Sequence, residues 1–265
     1  MRNLILVLCL ISILTVIPKH SDAKIPDSDI IALWTFDKGN GKEAIDITGH
    51  GHDGTFDLGA TVGPGKFGSS AQLDGVKGQV IIVKDDDALN VTKELSIVAW
   101  VKWNKGGVVH GELRQWPMMV NKVHINEAYL LFLDTGDAPN PDKPSIAFRM
   151  RMKGPGTVYS KVTVKDDTWY HAAGTYDGKA IKIYINGDLS NELAATGAIA
   201  TTSDVLTIGA DKGGIGNRFD GTIDEVGLFN RALTPDEVIQ TMDGFDRMLA
   251  VKPNGKLSTT WGILK

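Results

Sequence analysis

Residues 219–234 read Phe219-Asp220-Gly221-Thr222-Ile223-Asp224-Glu225-Val226-Gly227-Leu228-Phe229-Asn230-Arg231-Ala232-Leu233-Thr234, and they join a closing strand to a well-marked helix. Ile223, Val226 and Leu228 are the apolar strand positions. Thr234-Pro235-Asp236-Glu237 then has the chemistry of a helix start, with Thr as N-cap, Pro at the first helical position and Glu at N3. Leu233 and Val238 flank the cap as a hydrophobic staple. Val238, Met242, Phe245 and Leu249 continue with helical spacing, so a short amphipathic helix is expected, broken early at Gly244. Residues 244–265 are read as the helix end and a tail whose last part, 252–265, has too few apolar positions for another element.

The preceding chain reads as strands. Leu95, Ile97, Ala99, Val101 and Trp103 alternate with Ser96, Val98, Trp100 and Lys102, the period of a strand that buries one face. Ile181, Ile183 and Ile185 repeat the pattern and stop at Asn186-Gly187, a pair suited to a type I′ hairpin turn. Two antiparallel sheets packed face to face would bury both stripes. The segments 145–153 and 157–164 are a further pair, joined by Gly154-Pro155-Gly156. Ile146, Phe148, Met150 and Met152 point one way there, leaving Arg149, Arg151 and Lys153 on the other, with Tyr159 and Lys161 in the partner strand. Such a face is either the solvated side of an antiparallel sheet or a ligand surface.

Ahead of the closing stretch stand Ile31-Ala32-Leu33-Trp34-Thr35-Phe36-Asp37, the polar turn from Asp46 to Gly54, and Ala71-Gln72-Leu73-Asp74-Gly75. With segments 95–102, 169–178 and 181–187 they resemble, in order, the laminin G-like, pentraxin-like family of the concanavalin A-like lectin and glucanase superfamily. That family closes with G-x-I-D-E-V before N-R-A-L-[ST], which is similar to Gly221–Val226 and Asn230–Thr234 here. The resemblance implies an all-β fold, a two-sheet antiparallel jelly-roll sandwich over 24–243 with a short C-terminal helix. It also implies that the first and last strands pair, so that Asp37 and Asp224 could share a structural calcium, with Asp46 and nearby turn carbonyls as further donors. Calcium takes six to eight oxygens; capping of turns and pairing with Lys or Arg are the other uses of these acids.

Residues 1–23 have one early charge, Arg2, an apolar run from Leu4 to Ile17 and a small-x-small ending, Ser21-Asp22-Ala23. They read as a secretory signal peptide, the apolar run being short of the ~20 residues that span a bilayer. A secreted or extracytoplasmic protein without a membrane span after cleavage is therefore expected. The one cysteine, Cys9, falls inside this segment, so the remaining chain has no disulfide. The formal charge of −4 without a long basic run gives no electrostatic footprint for nucleic acid.

Carbohydrate or a surface glycoconjugate is the expected partner. Aromatic faces stack on sugar CH groups, and planar polar side chains bond hydroxyls. Trp100, Trp116, Tyr159, Arg149, Arg151 and Lys161 are the candidates, the segments 104–115 and 134–144 offering a rim. Trp103 continues the apolar stripe, which leaves Trp100 for the open face. The basic residues favour an anionic ligand. A hydrolase or lyase of the same superfamily and a structural cell-surface module are the alternatives, but the glucanase motif E-x-D-x-x-E is absent and no catalytic residue is assigned. His50-Gly51-His52-Asp53 reads as turn chemistry before metal ligation, His171 as a hydrogen-bonded structural histidine, and Asn90-Val91-Thr92 is a glycosylation sequon by pattern.

Overall fold

A computed structural model describes residues 24–75, 77–104, 116–122, 128–135, 143–152, 156–212 and 217–250. Its strands, in chain order, are β1 (Ile30–Trp34), β2 (Glu43–Ala44), β3 (Gly54–Asp57), β4 (Thr61–Pro64), β5 (Ser69–Asp74), β6 (Val80–Val83), β7 (Leu95–Trp103), β8 (Met118–Lys122), β9 (Tyr129–Asp134), β10 (Ser145–Met150), β11 (Thr157–Tyr159), β12 (Trp169–Tyr176), β13 (Ala180–Ile185), β14 (Asp188–Ala194), β15 (Leu206–Ile208) and β16 (Asp220–Phe229). Helices α1 (Pro235–Thr241) and α2 (Phe245–Ala250) follow. The first sheet runs β14-β13-β12-β7-β16-β5-β4, with β1 also on β16; the second runs β11-β10-β9-β8-β15-β6-β3-β2. All strand pairings among the described residues are antiparallel, and the two sheets form the expected jelly-roll sandwich.

The stripes read from the sequence meet in its core. Leu95, Ile97, Ala99, Val101 and Trp103 face Phe148, Met150, Leu131 and Tyr129 in one apolar cluster, which also holds Ile181, Ile183 and Ile185. The hairpin between β13 and β14 turns at Asn186 and Gly187, at φ 52° and 86°, as a type I′ turn requires.

β16 explains how the chain ends come together. Its first half, Asp220–Ile223, pairs with β5, and its second half, Val226–Phe229, pairs with β1. β5 and β1 thus succeed one another along a single edge of β16. Where one hands over to the other, the pairing with β7 is bulged between Asp224 and Gly227, and Glu225 takes φ 48°. Bulges re-aim side chains, and this one presents two consecutive carboxylates to the gap between β1 and β5.

The helix start has the predicted geometry. Thr234 Oγ1 accepts from Glu237 N and Glu237 Oε2 accepts from Thr234 N, a complete capping box with Pro235 beside it. Leu233 and Val238 are buried together, and Gly244 at φ 88° separates the two helices. Both helices fold back on the outer face of the first sheet, where Val238, Phe245 and Met248 bury Leu33, Val98 and Phe229. That face is therefore closed. Among the described residues no helix is long and apolar enough to cross a membrane.

Candidate functional site

The outer face of the second sheet remains, and cross-strand pairing aligns it. Asn121 pairs with Leu130, Leu130 with Arg149 and Arg149 with Thr157, giving one row across β8, β9, β10 and β11. Met118, Phe132, Ala147 and Tyr159 form the next row of the same face. A bulge in β8 between Met118 and Val120 turns both Met119 and Val120 into the core. This returns Asn121 to the outer face, where unbroken alternation from Met118 would have pointed it inward.

Three aromatic rings and one cation make up half of this face. Phe132 meets Trp116 edge-on at 6.2 Å and Tyr159 at 6.4 Å between centroids. The Arg149 guanidinium lies 4.8 Å from the Trp116 ring and 5.2 Å from that of Phe132. Its Nε donates to Thr157 Oγ1 at 2.9 Å, so a cation–π contact and a hydrogen bond hold the plane of the side chain. Trp116, Arg149 and Tyr159 are half-buried, each keeping an accessible edge.

The other half is an amide array. Asp211 accepts from Asn121 Nδ2 at 3.2 Å and from Asn217 Nδ2 at 2.9 Å. Asn217 Oδ1 in turn accepts the Trp116 amide, which ties the aromatic half to the polar half. Asn121 is fully buried and its Oδ1 has no hydrogen-bond partner among the described residues. An orphaned acceptor of this kind costs roughly 1–3 kcal/mol.

The sequence candidates divide. Trp116, Arg149 and Tyr159 come together as described. Arg151 is exposed past the end of β10, its amide donating to Ala128 O, and Lys161 is exposed in the bend after β11, its amide held by Ser190 Oγ. Both strands are shorter than expected, which takes these two out of the row. Lys153, and nearly all of the rim at 104–115 and 134–144, lie outside the described residues, as do 1–23 and 251–265. Trp100 does not belong to this face. It sits on the first sheet, 6% exposed, with Lys66 Nζ 4.3 Å from its ring and Phe67 and His171 against its edges. Trp103 is in the core as expected, but the opposite side of β7 is covered too, by the 65–68 turn and α1, which the alternation could not reveal. Phe132, Asn121, Asp211 and Asn217 were missed; the apolar run of β9 hid which residues face outward, and only the β8 bulge re-aims Asn121.

The acids expected to hold calcium also separate. Asp37 and Asp224 are neighbours, as implied, and Glu225 joins them, but amides of the turn before β5, of Ser69, of Glu225 and of Phe245 already occupy most of the oxygens. Asp224 Oδ2 accepts from Lys66 N and Phe67 N, Oδ1 from Glu225 N, Asp37 Oδ1 from Ser69 N, and Glu225 Oε2 from Phe245 N. Burial pushes Asp224 up to about 7 and Glu225 up to about 8, with the charge of Asp37 adding to both. Asp46 lies apart: its carboxylate accepts from Leu33 N, Thr48 N, Thr48 Oγ1 and His52 N, organising the polar turn. Among the described residues no group of three or more His, Cys, Asp or Glu is arranged to hold an ion. The three acids expected to hold calcium therefore do not fit a calcium cage as placed; hydrogen bonds make the ties for which the ion was expected. His171 is buried, with Nε2 3.1 Å from Thr241 Oγ1, and burial lowers it to about 3. The sequon Asn90 has its amide nitrogen on Asp85 and Asp86 and its Oδ1 on Thr202 N.

A family model described as the concanavalin A-like lectin/glucanases superfamily, Laminin G type, matches residues 74–239. No curated protein matches the chain. Among solved structures, the binding domain of Paraclostridial Mosquitocidal Protein 1 is similar at TM-score 0.64 and 16% identity, over 83% of this chain and 53% of that one. Domain 4 of AbnA, an extracellular GH43 arabinanase from Geobacillus stearothermophilus solved with arabinotriose, gives 0.60 and 21%, over 80% and 98%. The botulinum neurotoxin serotype D ligand binding domain, solved with N-acetylneuraminic acid, gives 0.61 and 16%, over 82% and 52%. The chain thus spans about half the length of the two toxin domains and nearly all of the arabinanase domain.

Proposed function

The chain belongs to the concanavalin A-like lectin/glucanases superfamily, and from that premise we propose that it is a secreted, non-catalytic module that binds carbohydrate on the outer face of its second sheet. The observation that carries this is the junction of Trp116, Phe132, Tyr159 and Arg149 with the Asn121–Asp211–Asn217 array. The half-buried edges of Trp116 and Tyr159 offer apolar surface for sugar CH groups, and half-buried Asp211 and Asn217 offer polar groups for hydroxyls, with Phe132 and Asn121 buried beneath them. Arg149 adds positive charge, so acidic sugars are the favoured ligands. The same fold carries arabinotriose in the arabinanase domain and N-acetylneuraminic acid in the toxin domain, which supports a sugar ligand.

The non-catalytic reading rests on Asp211. A carboxylate that accepts two amide N–H groups is committed to orienting them and is poorly placed to act as an acid or nucleophile. The signal-like segment supports export. A glycan array on the parent, Trp116→Ala and Arg149→Ala tests the assignment. Acidic glycans should be retained by the parent and lost by both variants, whose thermal transitions should stay close to the parent's; variants with the parent's glycan profile would remove this face.

A further inference from the structure

A second recess opens on another part of the surface. The polar turn from Asp46 to Gly54 and the short 3₁₀ turn Asp87–Leu89 face each other across a cleft of about 460 Å³, within the range of small-molecule sites. His50, His52, Asp86, Asp87 and Asn230 line it with polar groups, and Ile30 and Val91 supply apolar wall. None of these residues belongs to the sheet face described above.

Both walls are held in place from behind. His52 N donates to Asp46 Oδ2 and His52 O accepts from Trp34 Nε1 at 2.8 Å, while His50 N donates to Thr48 Oγ1. His52 is only 6% exposed, yet among the described residues its ring has no hydrogen-bond partner, and it lines the cleft. His50 Nδ1 lies 3.1 Å from Ile31 O, an acceptor, so that nitrogen carries the proton and Nε2 is an acceptor in the neutral ring. Opposite, Asn90 bridges Asp85 and the Asp86 carbonyl, and buried Lys122 takes Asp85 at 2.6 Å. Asp85 is thereby neutralised. Asp86 uses Oδ1 to cap Ala88 N, and Asp87 is exposed.

The cleft therefore has two carboxylates, two imidazoles and two amides, that of Asn90 already bonded, and no Lys or Arg among its lining residues. That charge pattern is the reverse of the Arg149 face. It disfavours an anion and suits a hydroxylated ligand with a positive charge. We propose that this cleft binds a hexosamine unit with a free amine: Asp86 and Asp87 take the ammonium, His50, His52 and Asn230 accept sugar hydroxyls, and Ile30 and Val91 touch the ring CH groups. The inference is independent of the sheet-face assignment.

The test uses the glucosamine disaccharide and its N,N′-diacetyl form against the full chain by calorimetry and by imidazole NMR. It is run at about pH 6.5, where an amine of this kind is protonated. The free-amine sugar should shift the His50 and His52 resonances and bind at least about tenfold more tightly than the acetylated one. Asp86→Asn with Asp87→Asn should cost about the same factor, since Asn keeps the acceptor for Ala88 N and only the charge is lost. Arg149→Ala, which acts on the sheet face, should leave the affinity for the amino sugar unchanged. Equal affinity for the two sugars, undiminished binding by the double variant, or silent histidines would overturn the proposal, and loss of binding in Arg149→Ala would move the amino sugar to the sheet face.

Discussion

Replacing Glu225 by Gln should remove much of a pH dependence that the bulge in β16 builds into the fold. Asp224 is fully buried and Glu225 is 3% exposed. Burial raises Glu225 from 4.5 to about 8 and Asp224 from 3.8 to about 7, against the opposing hydrogen bonds from Phe245, Phe67, Glu225 and Lys66 amides. For an acid whose folded value lies above its unfolded one, the folded chain holds a proton that the unfolded chain has already released. Its stabilising effect is complete below about pH 4 and is lost as pH rises through the folded values, near 7 and 8. Each tenfold change in proton affinity is worth about 1.4 kcal/mol, so raising Glu225 from 4.5 to about 8 corresponds to a loss on the order of 5 kcal/mol. Gln cannot ionise, but its carbonyl can still accept Phe245 N and anchor α2. Guanidinium unfolding at about pH 5 and about pH 9 measures the effect as a shift in midpoint at constant slope. The parent should be less stable at the higher pH, and Glu225→Gln should recover a few kcal/mol there while lying within about 1 kcal/mol of the parent at the lower. Equal parental stability at both pH values, or a variant that loses as much as the parent, would refute this account.

Two further outcomes follow from local geometry. Thr234→Ala breaks the capping box but leaves Glu237 paired with Arg231 at 2.7 Å, so it should cost about 1 kcal/mol and lower the melting temperature by roughly 2–4 °C. An unchanged melting curve would mean that the cap contributes nothing to the global transition. Chelation should leave the melting temperature within about 1 °C, because amides occupy the oxygens of Asp224 and Asp46. A fall of several degrees would restore a structural ion.

The fold was legible where local chemistry and the apolar period agree. The capping box, the staple, the Asn186-Gly187 turn and the stripes of β7 and β13 each depend on residues close in sequence, and each stands as read. The pairing of β1 with β16, Trp34 against Val226, was implied by the resemblance and not by any local signal. The site was less legible because it depends on two things that alternation does not encode. A bulge changes which residues face outward, as at Met119, Val120 and Asn121. A covered outer face looks in sequence like an open one, which is why Trp100 was placed with Arg149 although the two lie on different sheets.

The closing segment therefore does more than end the chain. Leu233 and Val238 set the angle at which α1 leaves β16, and Gly244 lets α2 return so that Phe245 packs beside Leu33 and Phe229. Glu225, exposed to the gap by the bulge, receives the Phe245 amide and holds the return in place. With the helices on the first sheet, its outer surface is unavailable to a ligand; on the second sheet Asn121, Leu130 and Phe132 are buried too, and Trp116, Arg149 and Tyr159 keep the accessible edges. Two polar groups point away from the helices, Asn121 Oδ1 on the outer side of the second sheet and His52 at the cleft beside β1, whereas Trp100 Nε1 and His171 Nδ1 are left without partners on the covered face of the first sheet. Buried polar groups are costly unless satisfied; those at Trp100 and His171 are closed over, whereas His52 borders an open cleft, which is the physical reason to look for a ligand there.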